Sequence, residues 1–267
     1  MPSDRYTHGH HESVLRAHRW RNGQNSAGYL LPHLRSGDRL LDVGCGPASI
    51  TSDLARHVAP GSVIALDNAL GVLALARTAL AEQAVRNVEL HAADVYALPF
   101  ASGTFAVTHA HQVLQHLSDP VAALAEMRRV TARGGLVACR DADYPAMTWF
   151  PELPALDRWM QLYLTIARNN RAEPAAGRRL HAWARAAGFS DITASASLWC
   201  FSTAQDRRWW GSLWAERVVA SAFADQAVRG GWASRHELED LAAAWREWSE
   251  AEDGWFVVVH GEVLARA

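Results

Sequence analysis

Apolar positions along this chain fall in short runs closed by turn-forming residues. Leu40, Leu41 and Val43 read as a short buried strand, Gly44 and Gly46 as a turn, and Ser49 as the cap of the helix that follows. The pattern then repeats. SVIALD (62–67) is a second strand, the Ala/Leu run over 69–84 an amphipathic helix, and NVELHA a third strand. Phe105 and Val107 mark a fourth; Asp119-Pro120 opens the helix VAALAEMRRV, and a turn at Gly134 and Gly135 leads into the fifth strand, LVACRD. This alternation predicts a mainly parallel, doubly wound α/β sheet. Later, RRLHAWARAAGF supplies a further helix, and DITASASLWC and GWFVVVHGEVLARA two more strands. Ahead of the first strand, NSAGYLLPHL reads as a helix capped by Asn25 or Ser26, with Ala27, Leu30, Leu31 and Leu34 on its apolar face.

These elements suggest an N-terminal helical cap over 1–34 and a Rossmann-like core over 35–143, 172–203 and 250–267. Two helical insertions, 144–171 and 204–249, would form a lid over the carboxyl edge of the sheet. Eleven of the twelve tryptophans lie from Trp149 onward. Large rings on inserted helices can roof a substrate pocket, and Tyr144, Trp149, Trp210, Trp214 and the loop residue Gln112 are the substrate-binding candidates. Packing of the insertions onto the core accounts for most of the other rings.

The 267 residues suffice for one large α/β domain with helical elaborations. A net charge of −2 gives no basic footprint, so no nucleic-acid partner is expected. With no apolar run long enough to span a bilayer and no apolar leader, a cytoplasmic protein without a membrane partner is expected, as a monomer or homodimer. Cys45, Cys139 and Cys200 lack metal or redox spacing and read as free thiols. Histidines 8, 10, 11 and 18 crowd the N-terminus, but no cysteine or carboxylate set completes a metal site, and no metal is expected.

Candidate chemistry gathers at the strand ends. Gly44, Cys45 and Gly46 form a floor where backbone can approach a ligand, with Asp42 at the end of the first strand. The third glycine of a dinucleotide fingerprint is replaced by Ser49, and the Gly-Lys-Ser/Thr of a P-loop is absent. Asp67 ends the second strand about twenty residues beyond the glycines, where an acid can accept both hydroxyls of a ribose; it could also cap the helix after it.

The string LLDVGCGPASIT resembles motif I of class I S-adenosylmethionine-dependent methyltransferases, D/E-x-G-x-G-x-G, keeping Asp42, Gly44 and Gly46 and placing Ala48 at the third glycine. ALD, DVYALPF, HQVLQHLSDP and MRRVTARGGLVACRD extend the resemblance over 35–141. It implies a seven-stranded sheet whose last strand is antiparallel beside the fifth, and S-adenosylmethionine as cofactor, leaving as S-adenosylhomocysteine. Cofactor contacts are implied for Asp42, Gly44, Cys45, Gly46, Asp67 and Asn68, for Asp94 and Val95 at the adenine, and for His109, Ala110 and His111 at the end of the fourth strand. Tyr6 and Arg21 would close over the cofactor, Arg21 meeting its carboxylate. His111 is the candidate general base, and His116 a weaker one with a packing role.

Several strings, among them HGHHESVLRAHRWR, HAHQVLQH and CRDADYPAMTW, are similar to one branch of that family. It includes fungal gliotoxin bis-thiomethyltransferases and actinobacterial enzymes that methylate dithiolopyrrolone thiols. The function implied is S-methylation of a thiol or dithiol natural product. The alternatives are O- or C-methylation of a phenol or quinol, and a protein that binds the cofactor without turnover.

Overall fold

The computed structural model describes Thr7, Gly9 and residues 11–267. Two helices, α1 (Glu12–Trp20) and α2 (Gly23–Ala27), precede the sheet. β1 (Arg39–Val43), α3 (Ser49–Val58), β2 (Ser62–Asp67), α4 (Leu70–Glu82) and β3 (Val88–Ala92) then alternate as the apolar pattern predicts. β4 (Phe105–His111), α5 (Pro120–Val130) and β5 (Thr131–Ala142) complete the parallel half. In register, Leu41 faces Ile64, Val43 faces Ala110, and Ala110 faces Cys139.

A short strand, β6 (Thr148–Phe150), is followed by α6 (Pro154–Asn169), α7 (Ala176–Ala186) and β7 (Ile192–Phe201). Helices α8 (Ala204–Ala220), α9 (Ala222–Arg229) and α10 (Arg235–Glu250) lead to β8 (Trp255–Arg266). β8 lies antiparallel between β5 and β7, pairing Val263 with Cys139 on one side and Ala194 on the other. The strand order is therefore β3-β2-β1-β4-β5-β8-β7, the expected seven-stranded arrangement. An eighth strand, β6, falls inside the expected insertion 144–171 and joins the sheet by pairing Trp149 with Phe256.

Side chains alternate across a strand, and each face of this sheet finds its own helices. Leu54, Ala55 and Val58 of α3 cover Leu40, Val63, Val107 and Ala138. On the opposite face Leu124 and Met127 of α5, with Leu180 and Ala184 of α7, cover Leu41, Val43, Ala110 and Cys139. A third cluster belongs to the inserted helices, where Trp159, Trp214, Trp245 and Trp248 are buried around Phe256. Gly211 makes that layer possible: a Cβ there would stand 2.6 Å from the Ser249 Cβ and 2.8 Å from the Trp245 carbonyl, so only glycine lets α8 meet α10 this closely.

Three local expectations are corrected. The cap before β1 is Asn22, whose side chain accepts from the Asn25 N–H while Asn25 accepts from the Asn22 N–H, so neither Asn25 nor Ser26 starts the helix. Ser49 does not cap α3; its hydroxyl donates to the His18 carbonyl at 2.7 Å, and Ala48 turns the chain at φ 63°. Gly134 and Gly135 lie within β5 rather than in a turn before it, next to a register shift between Phe105 and Val107.

Candidate functional site

The carboxyl ends of β1, β2 and β4 converge on the glycine turn. Gly44 has φ 68°, and a Cβ there would collide with the Val113 side chain at 2.4 Å, so β1 can end against the loop after β4 only with glycine. Cys45 is buried with Ala65 and Leu73, and burial first, then the carboxylates of Asp42 and Asp67, push its thiol far above the ordinary range. It is packing, not a nucleophile.

Asp42 departs from its expected role as a ligand contact. It is 3% exposed, and each oxygen is turned to a partner inside the fold: Oδ2 accepts from the Thr51 hydroxyl at 2.6 Å and Oδ1 from His109 Nδ1 at 2.8 Å. Since the carboxylate only accepts, His109 carries its proton on Nδ1. The acid ties the end of β1 to the first turn of α3 and to β4. His109 is fully buried in that tie and does not reach the surface of the site. The Ala110 methyl lies on the other face of the sheet, in the core beneath α5 and α7, and only its backbone remains near the site.

Asp67 joins the two turns. Its Oδ2 accepts from the Gly46 N–H at 3.1 Å and its Oδ1 from the Ala69 N–H at 2.9 Å, so it does brace the start of α4, and it is half-buried with acceptor capacity left over. Asn68 beside it is exposed. Asp94 is exposed and accepts from the Tyr96 N–H at 3.0 Å in an Asx turn, with Val95 half-buried next to it.

Beyond β4 the character changes to buried imidazoles. Gln112, at φ 53°, places its amide Nε2 2.8 Å from His260 Nε2, to which it donates. His111 is 6% exposed, its ring stacks 6.2 Å from that of His260, and neither ring nitrogen has a partner among the described residues. Burial first, then the charges of Arg140 and Arg21, push its titration far below the ordinary histidine value, and the same causes act on His260. His116 Nε2 meets the Gln115 amide at 3.0 Å, and burial with the Arg21 charge lowers it to about 3. Arg140, behind this group, donates to Ser197 at 2.9 Å and Glu262 at 3.2 Å, and its guanidinium sits 5.0 Å from the Trp199 ring centre.

A cleft opens in front of these residues. One face of α1, Val14, Ala17 and His18, with Arg21 just past its end, opposes one face of α8, Trp210, Trp214 and Arg217. Gln112, Tyr144, Trp20, Trp199 and Trp209 complete most of its wall. Of the expected substrate contacts, Gln112, Tyr144, Trp210 and Trp214 are brought together. Trp149 is not; it stacks on Phe256 at 5.6 Å and packs at 6.2 Å from Trp159, away from the cleft. Arg21 is on the wall, 5.4 Å from the Trp199 ring centre, whereas Tyr6 lies outside the described residues. His18, Trp199, Trp209, Arg217 and His260 are additions. Val14, Ala17, His18 and Arg21 recur at i, i+3, i+4, i+7, and Trp210, Trp214 and Arg217 at i, i+4, i+7, so the spacing that marks one helical face was present in both segments.

α1 is fastened to both sides of the cleft. The His18 carbonyl holds Ser49 beside the glycine turn, and Arg16 pairs with Glu216 of α8. Among the described residues no cluster of histidine, cysteine and acid side chains could hold a metal, and no helix is long and apolar enough to cross a membrane.

Comparison with known proteins gives consistent results. A family model described as a methyltransferase domain matches residues 41–139, the segment that contains the glycine turn and β2 to β4. The "Uncharacterized methyltransferase C1B3.06c" of Schizosaccharomyces pombe is 34% identical over 98% of this chain and 97% of its own length. The "Probable methyltransferase ltbC" of Aspergillus luteorubrus is 26% identical over 98% of this chain and 97% of its own. Among solved structures, a protein of Bacillus halodurans C-125 shares the fold with a TM-score of 0.56 at 18% identity, over 90% of this chain and 99% of that one.

Proposed function

Because this chain belongs to the class I S-adenosylmethionine-dependent methyltransferases, to which its full-length relationship with a fission-yeast methyltransferase assigns it, we propose that it methylates the sulfur of a thiol or dithiol small molecule bound in the tryptophan-lined cleft. The cofactor supplies a methyl group activated by a sulfonium centre. The residues at the strand ends suit that group. Gly44 and Gly46 present bare backbone, Asp67 keeps acceptor capacity for ribose hydroxyls, and Asp94 with Val95 offers an acceptor and an apolar edge to an adenine. Arg21, on the cleft wall, is the donor for a carboxylate. The described residues of segment 1–34, with segments 144–171 and 204–249, act as cap and lid over the core, and the partner is a small molecule.

The observation that carries the thiol reading is the state of His111. Its nitrogens are uncommitted among the described residues, yet burial and two guanidinium groups make its ring a weak base. An acceptor that must lose a proton near pKa ~10, such as a phenol, would need a stronger one, whereas a thiol at ~8.5 is already partly ionised at neutral pH. The chain's task is then to hold the acceptor and exclude water with the indole rings of Trp199, Trp209, Trp210 and Trp214. Arg140 and Gln112 fix the surroundings of the His111 ring through Trp199 and His260.

The test is His111→Ala with a matched pair of acceptors, an aryl thiol and the corresponding phenol. Thiol turnover within about tenfold of wild type, with phenol turnover low in wild type and variant alike, is the expected result. Abolished thiol turnover with cofactor affinity intact would make His111 an essential base and remove the argument for sulfur.

A further inference from the structure

Among the described residues β3, β6 and β7 each pair on one flank only, and two of these strands are guarded against further pairing. β3 is five residues long and carries Glu89 and His91, whose side chains stand 3.5 Å apart. β6 is three residues long and stops at Pro151. Short length, charge and proline are the devices by which a strand edge avoids a second chain. β7 has none of them. It runs for ten residues, Ile192–Phe201, with no charged side chain and no proline. Its register with β8 is unbroken from Ile192 opposite Ala265 to Phe201 opposite Phe256, so no bulge bends the edge away.

Among the described residues the backbone of β7 bonds to β8 and to no other element. Alternate N–H and C=O groups on its outer flank therefore remain available to a further strand. Thr193, Ala194, Ser195 and Ala196 are all exposed, as are Cys200 and Leu198, the latter at 60%. Ala194, Ala196, Leu198 and Cys200 share the sheet face opposite to that of Trp199, which lines the cleft.

Side-chain size along the strand says what fits there. The first half is small, Ala194, Ser195 and Ala196, and the second half large, Leu198, Trp199 and Phe201. A two-fold axis through Ser197, perpendicular to the sheet, sets one half against the other. Ala196 then faces Leu198, Ala194 faces Cys200 and Ser195 faces Trp199. With the axis at Ala196 instead, Ile192 would face Cys200 and Ala196 would face itself, and the match is lost. The strand thus carries its own complement, and two-fold pairing consumes both edges and leaves no template for a third chain.

We infer that β7 pairs antiparallel with β7 of a second copy of this chain about a two-fold axis at Ser197, joining the two sheets into one. An edge roughly 33 Å long and 10 Å thick offers on the order of 300 Å² per copy, below the ~800 Å² of a standard interface, so a weak, micromolar dimer is expected. The axis preserves the faces of the sheet, so both clefts open on the same side of the assembly.

The experiment is sedimentation velocity on the full chain from about 1 to 200 μM, over which wild type is expected to pass from the chain mass toward twice that mass. Ala196→Lys brings two lysines to about 7–8 Å across the axis and should raise the dissociation constant about tenfold or more, with the circular dichroism spectrum unchanged. Ala194→Cys tests the register. Directly opposite Cα atoms stand about 4.5–5.5 Å apart, so mild oxidation should link it to the partner subunit's Cys200, and Cys200→Ser should abolish the link. A wild type that stays monomeric throughout, leaving the edge to a strand of another protein, would overturn the inference. A dimer untouched by Ala196→Lys, or one in which Ala194→Cys forms no link, would overturn it as well, because the contact would then lie elsewhere. None of these readouts depends on which atom is methylated.

Discussion

Removal of the Asp42 carboxylate separates a structural tie from a ligand contact. In Asp42→Ala the Thr51 hydroxyl and the His109 Nδ1–H, both buried, lose acceptors at 2.6 Å and 2.8 Å. Each stranded buried group costs about 1–3 kcal/mol, so a total near 3–4 kcal/mol is expected. For a chain of this size that corresponds to a Tm lowered by roughly 6–15 °C. Asp42→Asn is the informative control. Its amide oxygen can still accept from His109, and its NH2 can donate to the Thr51 oxygen, so the expected loss is only about 1 kcal/mol, or 2–4 °C. Thermal unfolding by circular dichroism reads the first quantity and calorimetric titration with S-adenosylhomocysteine the second. A tie predicts that Asp42→Asn keeps cofactor affinity within about threefold, since the shape of the turn is preserved. If Asp42→Asn unfolds at the wild-type temperature yet binds S-adenosylhomocysteine about a hundredfold more weakly, the carboxylate itself touches the cofactor and the reasoning fails.

Other consequences follow from burial and charge. His111, His116 and His260 all titrate lower in the folded chain than unfolded, so their contribution to stability is present above pH ~6.5 and is lost as pH falls toward the folded value, about 3 for His116. Urea midpoints should drop between pH 7 and 5, less steeply in His116→Gln, and a flat profile would contradict the burial of these rings. Asp141 has the opposite sign: burial raises it to about 8 against the pull of the Gln115 N–H at 3.1 Å, so stability present below pH ~4 is lost as pH rises through 8. Asp141→Asn should accordingly be more stable than wild type at pH 9, by on the order of a few kcal/mol, with the advantage gone at pH 4; equal effects at both pH values would refute this. Trp159→Ala, which empties a fully buried site between Trp214 at 4.6 Å and Trp245 at 4.9 Å, should cost about 3–5 kcal/mol in chemical denaturation, and a cost below 1 kcal/mol would mean the inserted layer is not a packed core.

The parallel half of the sheet was legible because each strand is an apolar run ended by a turn residue, as in SVIALD closing at Asp67, and the antiparallel insertion of β8 followed from the family resemblance. Local capping was not legible. Asn22, Asn25 and Ser26 are all competent caps, and the choice fell to Asn22 because α1 ends at Arg21 immediately before it. Ser49 looked like a cap until the His18 carbonyl, thirty-one residues earlier, drew its hydroxyl away. Ala48 in the left-handed region is a related case: the resemblance expects glycine there, and alanine holds φ 63° at a cost of about 1 kcal/mol because its methyl is buried against Ala76 and Leu80. Within the site, Asp42 looked like a ligand contact because its burial and its bonds to Thr51 and His109, nine and sixty-seven residues on, are not written in the local string. Trp149 and Trp199 illustrate the same limit. Both are tryptophans on strands beside β8, but Trp149 stacks on Phe256, whereas Trp199 donates from its indole to the Asn25 carbonyl at 2.7 Å and faces the cleft.

The thiol assignment is tested most directly by a mass-spectrometric screen of the enzyme with S-adenosylmethionine against reduced dithiols, monothiols, phenols, quinols and amines at neutral pH. A gain of one or two methyl groups on thiols, with little on phenols and quinols, is the result predicted by a buried, weakly basic His111. Efficient methylation of phenols or quinols with none on thiols would contradict it.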